Sequence, residues 1–239
     1  MNPLAARWAD TPGAARFAFG QTNRALRDRA AMATADAFLA AAGLPGHPDR
    51  RKNWDTYLAL FHAATSVAEG EAVLDAGAER YSAFLPSLRA AGYTRLTGIN
   101  LTFGAPDIAG GITYRHGDVT ATGFDDASFG FIACLSVIEH GVDPAAFLAE
   151  ASRLLVPRGT LFISMDYWED PVDTAGREAY GVPVRLFTRG DLDAIIDRAA
   201  AVGLRPEQDH DYACGDRVIH WAAQDLRYTF ANLLLRRDA

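Results

Sequence analysis

The sequence predicts an α/β fold in which an N-terminal helical cap precedes a doubly wound, mainly parallel sheet. Residues 129–135 and 160–165 are apolar without alternation, as expected for parallel strands that helices cover on both faces. The chain between them has the spacing of a helix, and after Gly70 further short apolar segments alternate with helical stretches. We therefore assign residues 1–70 to the helical cap, or lid, and residues 71–239 to the sheet domain.

The N-terminal region predicts two helices. Apolar residues recur at helical spacing from Thr22 to about Ala42, and the turn residues at 43–46 end that pattern. A second helix is predicted from about Trp54 to Val67, with its aromatic residues on one face. The aromatic side chains of this helix either contact a ligand or belong to the core.

The remaining elements follow in order. Asp143, followed by Pro144, predicts the start of a helix that ends before Pro157. Thr188 and Asp191 predict the capped start of another helix, which ends at Gly203. Other strands are predicted at 72–75, 95–100 and 112–115, with an antiparallel edge strand at 217–221 and a tail helix over 227–237.

Composition excludes several classes of function. The chain has 239 residues and a net charge of −7, which indicates one globular core and disfavours nucleic acid as a partner. Cys134 and Cys214 match no zinc or redox spacing, and the histidines lack carboxylates at ligand spacing, so we expect no metal. Without an apolar segment of signal or membrane length, a cytoplasmic protein is expected. Lys52 is the only lysine, which we attribute to genome composition.

Several segments resemble the class I S-adenosylmethionine-dependent methyltransferases. They are the strand and turn at 73–77, the strand ends at 98–101 and 117–119, the strand and loop at 129–140, and the helix end at 154–160. Their order and spacing match that family over roughly residues 71–205. The resemblance implies a seven-stranded, Rossmann-like methyltransferase sheet, with S-adenosylmethionine as the cofactor and a small-molecule acceptor as the partner.

The resemblance also implies the cofactor-binding residues. In that family, the turn after the first strand approaches the methionine part of the cofactor, the second strand end holds the ribose, and an acidic residue after the third strand binds adenine. Carried over, these positions are Asp75, Gly77, Asn100, Asp118 and Val119, with Leu135 and Ser136 beside the methionine part. Glu79 in the turn and Leu101 after Asn100 complete the predicted cofactor-binding residues.

Two departures from the family pattern affect the cofactor site. Glu79 and Tyr81 stand where the family turn usually has glycines, and Asn100 stands where it has an acidic residue. A carboxylate at Glu79 would repel a pyrophosphate but pair with the ammonium of S-adenosylmethionine, which argues against a nicotinamide-dependent dehydrogenase. An amide at Asn100 predicts weaker ribose binding or a compensating contact.

The acceptor side is predicted at the ends of the fourth and fifth strands. His140 is a candidate general base, and the alternative is that it orders its loop. Asp166 is a second candidate for the base, and the alternative is a solvated carboxylate at the strand end. The long connection over 166–187 contains the aromatic residues Tyr167, Trp168 and Tyr180. These residues are suited to binding a ring-containing acceptor, and the alternative is that they cover the core.

We therefore predict an enzyme that methylates a small molecule, with a hydroxyl of a sugar, glycan or natural-product precursor as the preferred acceptor. The segment over 166–187 resembles methyltransferases of glycan and sugar-containing natural-product pathways. An amine acceptor remains open, as does a homodimer. The alternative is a non-catalytic binding or scaffold protein that keeps the fold, because Glu79, Tyr81 and Asn100 depart from the cofactor motif.

Overall fold

A computed structural model describes residues 11–68 and 70–239 of the chain. Among residues 11–68, the structure contains three α-helices and a short 3-10 turn. They are α1 (Ala14–Gln21), α2 (Arg29–Ala41), the 3-10 turn Arg50–Lys52 and α3 (Asn53–Ser66).

The helix predicted from Thr22 begins at Arg29 instead. The carboxylate of Asp28 caps it by accepting a hydrogen bond of 2.8 Å from the Ala31 N–H. The chain before Asp28 is extended, and the Leu26 N–H donates to the Phe230 carbonyl at 2.8 Å. Pairing with a distant strand therefore overrides the helical spacing of these residues.

The rest of the chain forms one large sheet, a two-stranded hairpin and three helices. The strands of the large sheet are β1 (Val73–Ala76), β2 (Leu96–Asn100), β3 (Asp107–Ala109), β4 (Ile112–His116), β5 (Phe129–Leu135), β6 (Leu155–Tyr167), β9 (Leu204–Pro206), β10 (Ile219–Trp221) and β11 (Leu226–Arg237). The hairpin consists of β7 (Glu178–Ala179) and β8 (Val182–Pro183), and the helices are α4 (Phe84–Ala90), α5 (Pro144–Leu154) and α6 (Arg189–Ala201).

The strand order confirms the predicted doubly wound, mainly parallel fold. The order is β10-β11-β6-β5-β1-β2-β4-β3, and β9 also pairs with β11. Strands β1, β2, β4, β5 and β6 are parallel to their neighbours in this series, whereas β11 is antiparallel to β6. The sheet has nine strands rather than seven, since it includes two short strands, β3 and β9, that the sequence pattern does not distinguish from loops.

Helices cover both faces of the sheet. Phe131 and Ala133 of β5 pack in a core that includes α3 and α4, whereas Ile132 and Cys134 pack in a second core with α5 and α6. Trp54 and Tyr57 of α3 are fully buried in the first core. The N-terminal helices therefore share a core with the sheet, and Cys134 has the packing role that its buried strand predicts.

The structure differs from the predicted pattern of elements in two places. Within the described residues, the connections 101–111 and 117–128 contain no helix, so strands and helices alternate only in part. Residues 227–237, predicted as a tail helix, belong to the strand β11 instead. The apolar run from Phe230 to Leu235 is buried on both faces, as expected of a strand inside a sheet rather than at its edge. No helix among the described residues is long and apolar enough to cross a membrane.

Candidate functional site

The carboxyl ends of β1, β2 and β4 bring four of the predicted cofactor residues together. Gly77 and the next residue donate their N–H groups to the Ile99 carbonyl at 2.9 Å, and the Gly117 N–H donates to the Asn100 carbonyl at 3.2 Å. Asp75, Gly77, Asn100 and Asp118 therefore lie along one edge of the sheet, the edge at which such sheets bind ligands. We call this group of strand ends the cofactor side.

Gly77 has a conformation that other residues rarely adopt. Its φ is +91°, and a Cβ atom there would lie 2.3 Å from Cγ2 of Val137. The turn after β1 therefore requires glycine at this position. Val137, in the loop after β5, packs directly on the turn.

Asp75 is a buried acid at the end of β1. Burial and the neighbouring carboxylate of Glu79 raise the pKa of Asp75 to about 7. In the part of the chain that the structure describes, neither carboxylate takes part in an ion pair. Two neighbouring acids without a cation suit the ammonium group of an amino-acid ligand, so these residues fit S-adenosylmethionine.

Asn100 already has hydrogen-bond partners. Its amide group donates to the Ala78 carbonyl at 2.9 Å and to Oε1 of Glu79 at 3.4 Å. Its oxygen accepts two bonds of 2.9 Å, from the N–H and the hydroxyl of Thr102. Because both lone pairs of the oxygen are used, Asn100 can accept a ribose hydroxyl only by giving up a bond to Thr102.

The other predicted cofactor residues differ in exposure. Asp118 is exposed, and its carboxylate accepts bonds of 2.8 and 2.7 Å from the N–H and the hydroxyl of Thr120. Leu101 is exposed and Val119 is buried, whereas Leu135 is half-buried. Ser136 has a φ of +54°, which is strained for a serine and ends β5 abruptly.

The carboxyl ends of β5 and β6 hold a buried group of charged side chains. Glu139, Asp166 and Asp55 are 2%, 6% and 1% exposed, and all three face Lys52 from the 3-10 turn before α3. We call these four residues the Lys52 cluster. The Ser164 hydroxyl donates to Asp55 at 2.7 Å, which fixes the orientation of that acid.

The acids of the Lys52 cluster hold their protons more tightly than exposed acids do. Burial and the charge of Asp166 raise the pKa of Glu139 to about 8. Burial likewise raises the pKa of Asp166 and of Asp55, although the Lys52 ammonium opposes the shift in each. The Tyr228 hydroxyl donates a hydrogen bond to Asp166, and burial together with that acid raises the tyrosine pKa.

His140 lies in the same region, where its ring contacts the β7–β8 hairpin. Burial and the nearby Lys52 ammonium lower the pKa of His140 to about 4, so its imidazole is neutral at pH 7. The ring of Tyr180, at the tip of the hairpin, lies 4.7 Å from the His140 ring and is 80% exposed. Tyr81 is also exposed, and burial, Glu79 and Tyr180 together raise its pKa. Exposed aromatic rings therefore lie beside both groups of strand ends.

The two other predicted aromatic residues, Tyr167 and Trp168, are less exposed than Tyr180. Tyr167 is fully buried in the core of α5 and α6, on the opposite face from Asp166, and its hydroxyl donates to the Tyr212 carbonyl at 2.9 Å. The structure thus does not bring Tyr167 to the acceptor side, because successive strand residues point to opposite faces. Trp168 is half-buried, with the Arg217 guanidinium 4.4 Å from its ring.

Sequence reasoning missed the residues that complete the acceptor side. Lys52 and Asp55 precede it by more than 80 residues, and Tyr228 follows Asp166 by about 60. The signal that the sequence offers is Lys52 itself, the single lysine of the chain. No group of three or more side chains suited to a metal ion occurs among residues 11–68 and 70–239. An open groove of about 560 Å³, lined by Arg80, Arg89 and Tyr114, lies at the sheet edge, away from these side chains.

Comparison with known proteins finds similarity to methyltransferases over part of the chain. Residues 74–163 match the profile of a methyltransferase domain. A segment of 114 residues is 31% identical to the ubiquinone biosynthesis O-methyltransferase of Paracidovorax citrulli. That segment is 47% of this chain and spans 39% of the relative's length. Both matches cover less than half of this chain, and they indicate a methyltransferase-like domain around the strand ends described above.

Solved structures agree on the fold. An S-adenosylmethionine-dependent methyltransferase from Mesorhizobium loti superimposes with a TM-score of 0.53 at 19% identity, over 75% of this chain and 98% of that one. The [4+2]-cyclase SpnF superimposes with a TM-score of 0.55 at 15% identity, over 77% and 82% of the two chains. The fold is therefore that of the class I methyltransferases, and it also occurs in a protein named for a different reaction.

Proposed function

We propose that this chain transfers a methyl group from S-adenosylmethionine to a hydroxyl of a small-molecule acceptor, such as a sugar or a glycan or natural-product precursor. The observation that carries the proposal is the arrangement of two acidic sites along one sheet edge. Asp75 and Glu79 lie on the cofactor side, and Asp166 lies at the end of β6 with His140 nearby. The topology and the match of residues 74–163 to a methyltransferase domain support the choice of cofactor.

Different residues of the chain bind the cofactor and remove the proton of the acceptor. Asp75 and Glu79 bind the cationic part of the cofactor, and Gly77 lets the backbone approach it. S-adenosylmethionine, when bound, supplies a methyl group activated by a sulfonium. Asp166 accepts the proton of the acceptor hydroxyl, and neutral His140 is a second acceptor for that proton. Orientation of the hydroxyl supplies much of the rate, because a methyl displacement needs its reacting atoms in line.

The aromatic residues favour a ring-shaped acceptor with hydroxyl groups. Tyr180 and Tyr81 expose their rings beside the strand ends, where the flat face of a sugar or an aromatic ring can stack. The hydroxyl and carboxyl groups of Ser136, Asp166 and Tyr228 provide hydrogen-bond partners close by. The curated relative is named as an O-methyltransferase, in agreement with a hydroxyl acceptor.

A second candidate is a protein that keeps the fold without methyl transfer. It is favoured by the packing of Val137 on the turn at Gly77 and by the occupied lone pairs of Asn100. The likeness to the [4+2]-cyclase SpnF is consistent with it, since the fold alone does not determine the reaction.

A turnover assay separates these candidates. The protein is incubated with S-adenosylmethionine and a panel of sugars, polyols, phenols and amines, and formation of S-adenosylhomocysteine and of methylated products is measured by mass spectrometry. Turnover on hydroxyl compounds supports the proposal, and turnover on amines alone contradicts its acceptor class. Cofactor binding without turnover on any member of the panel favours the second candidate.

A further inference from the structure

Lys52 connects three strands at the centre of the acceptor side. Its ammonium lies 3.9 Å from Oδ1 of Asp166 and 4.0 Å from the centre of the Phe230 ring, and it donates a hydrogen bond to the Ser136 hydroxyl. Phe230 is directly opposite Asp166 in the pairing of β11 with β6. The side chain of Lys52 is 24% exposed. The single lysine of the chain is thus fixed at the ends of β5, β6 and β11.

The acids that face Lys52 have unused hydrogen-bonding capacity. Oε2 of Glu139 and Oδ1 of Asp166 are buried without a hydrogen-bond partner in the described part of the chain. The other oxygen of Glu139 accepts a long bond of 3.4 Å from the Asp166 N–H. A buried carboxylate oxygen without a hydrogen bond is costly unless a cation lies close to it, and Lys52 lies at ion-pair distance from Oδ1 of Asp166.

We propose that Lys52 is a positioning residue that holds Asp166 as a carboxylate, ready to take the proton of the acceptor hydroxyl, while Glu139 beside it keeps its own proton. This inference rests on the proposed function. In the step it serves, the O–H bond of the acceptor breaks and its proton passes to Asp166. An oxygen–carbon bond to the methyl group forms as the carbon–sulfur bond breaks. The products are a methyl ether and the thioether S-adenosylhomocysteine.

The other charged or titratable groups around the cluster do not replace Lys52. Arg51 is paired with Asp49 at 2.6 Å and donates to the His220 carbonyl at 3.0 Å, so its effect on Asp166 is weaker. His140 is neutral at pH 7. Other titratable groups here are Tyr228 on β11, Asp55 on α3, His47, whose effect reaches Asp55, and Cys134 on β5, whose pKa burial and Glu139 raise.

The presence of one lysine allows a test without an activity assay. Protein labelled with ¹³C and ¹⁵N in lysine gives one side-chain signal, which reports the charge of the carboxyl groups around Lys52. We expect this signal to shift with an inflection near pH 8, where Glu139 loses its proton. The inflection should disappear in Glu139→Gln. A signal that shows no inflection between pH 6 and 9, or one that is unchanged in Glu139→Gln, overturns the inference.

A pair of variants tests the same inference in the reaction. Lys52→Met removes the ammonium, so the pKa of Asp166 rises. The acid limb of the pH profile of kcat/KM should therefore move to higher pH, by about one unit or more. Lys52→Arg restores the charge and should restore most of the profile. Arg50→Met is the matched control, since Arg50 lies two residues away, is 78% exposed and pairs with Asp36.

The results distinguish this inference from the proposed function. An unchanged pH profile in Lys52→Met, or a shift equally large in Arg50→Met, contradicts the role of Lys52 while methyl transfer stands. If the lysine signal responds to Glu139 but no acceptor is methylated, the coupling of charges is supported and the proposed function is the part that fails.

Discussion

The two groups of strand ends differ in how their polar side chains are satisfied. On the cofactor side, Asn100 and Asp118 accept hydrogen bonds from residues only two positions further along the chain. On the acceptor side, Asp166 and Glu139 are buried and depend on Lys52 and on Tyr228 of β11. The side-chain oxygens of Asn100 and Asp118 are satisfied within local turns, whereas the acids of the acceptor side find their partners only when distant parts of the chain come together.

This difference indicates which property each region controls. Local turns form with their own strands, so changes on the cofactor side should alter affinity without disturbing the acceptor side. Buried acids whose charges influence one another change together, so one substitution on the acceptor side should alter both rate and pH dependence. Turnover and cofactor binding should therefore respond to different residues.

The largest expected effect is on turnover, from Asp166→Asn. The substitution keeps the size of the side chain but removes its ability to accept a proton, and kcat should fall by about 100-fold or more. The affinity for S-adenosylmethionine should change little, because Asp166 lies outside the cofactor side. Steady-state kinetics and titration calorimetry on the same preparation measure the two quantities. A variant with normal kcat would exclude Asp166 as the base and would remove the contrast between the two regions.

His140→Ala should have a smaller effect on turnover. Its imidazole is neutral above about pH 4, so it can orient the hydroxyl or take up the proton over the whole working range. We expect kcat to fall by about tenfold with little change in cofactor affinity. His140→Gln serves as the control, because it retains a hydrogen-bonding group without a titratable ring. A kcat in His140→Ala that equals the wild-type value at saturating acceptor would remove His140 from the reaction.

A third comparison concerns cofactor affinity alone. Glu79→Gln should weaken S-adenosylmethionine binding by about five- to tenfold, since it removes a charged acceptor. Asn100→Ala should weaken it by less than about threefold, because the Asn100 oxygen already accepts two bonds from Thr102. Calorimetric titration of both variants at pH 8 measures the difference. The reverse order would mean that Asn100 gives up its local bonds to bind the ribose.

The sequence predicted most of the sheet because its strands carry their own signal. The continuous apolar runs in β5 and β6 and the capping residues of α5 and α6 determine those elements locally. The residues before Asp28 and those of β11 were predicted as helix but are extended, because pairing with distant strands determines their conformation. Propensity describes only local preference, and tertiary pairing overrides it in these segments.

The same reasoning applies to the site. Asp75, Gly77 and Asn100 occupy strand ends that a motif identifies, and the structure brings them to one edge. The role of Lys52 depends on where the 3-10 turn before α3 docks against β5 and β6, which no local pattern describes. Tyr167 illustrates the opposite error: Asp166 beside it faces Lys52, but the alternation of β6 directs the ring of Tyr167 into the other core.

The most direct test of the proposed function is calorimetric titration of S-adenosylmethionine into the wild-type protein and Asp75→Asn, at pH 6 and pH 8. Burial and Glu79 raise the pKa of Asp75 to about 7, so the carboxylate that pairs with the ammonium is mostly absent at pH 6 and present at pH 8. Wild-type affinity should be roughly tenfold higher at pH 8, and Asp75→Asn should bind weakly at both values. Absence of binding in the wild-type protein at pH 8, or equal affinity in Asp75→Asn, would contradict a cofactor site at this strand end.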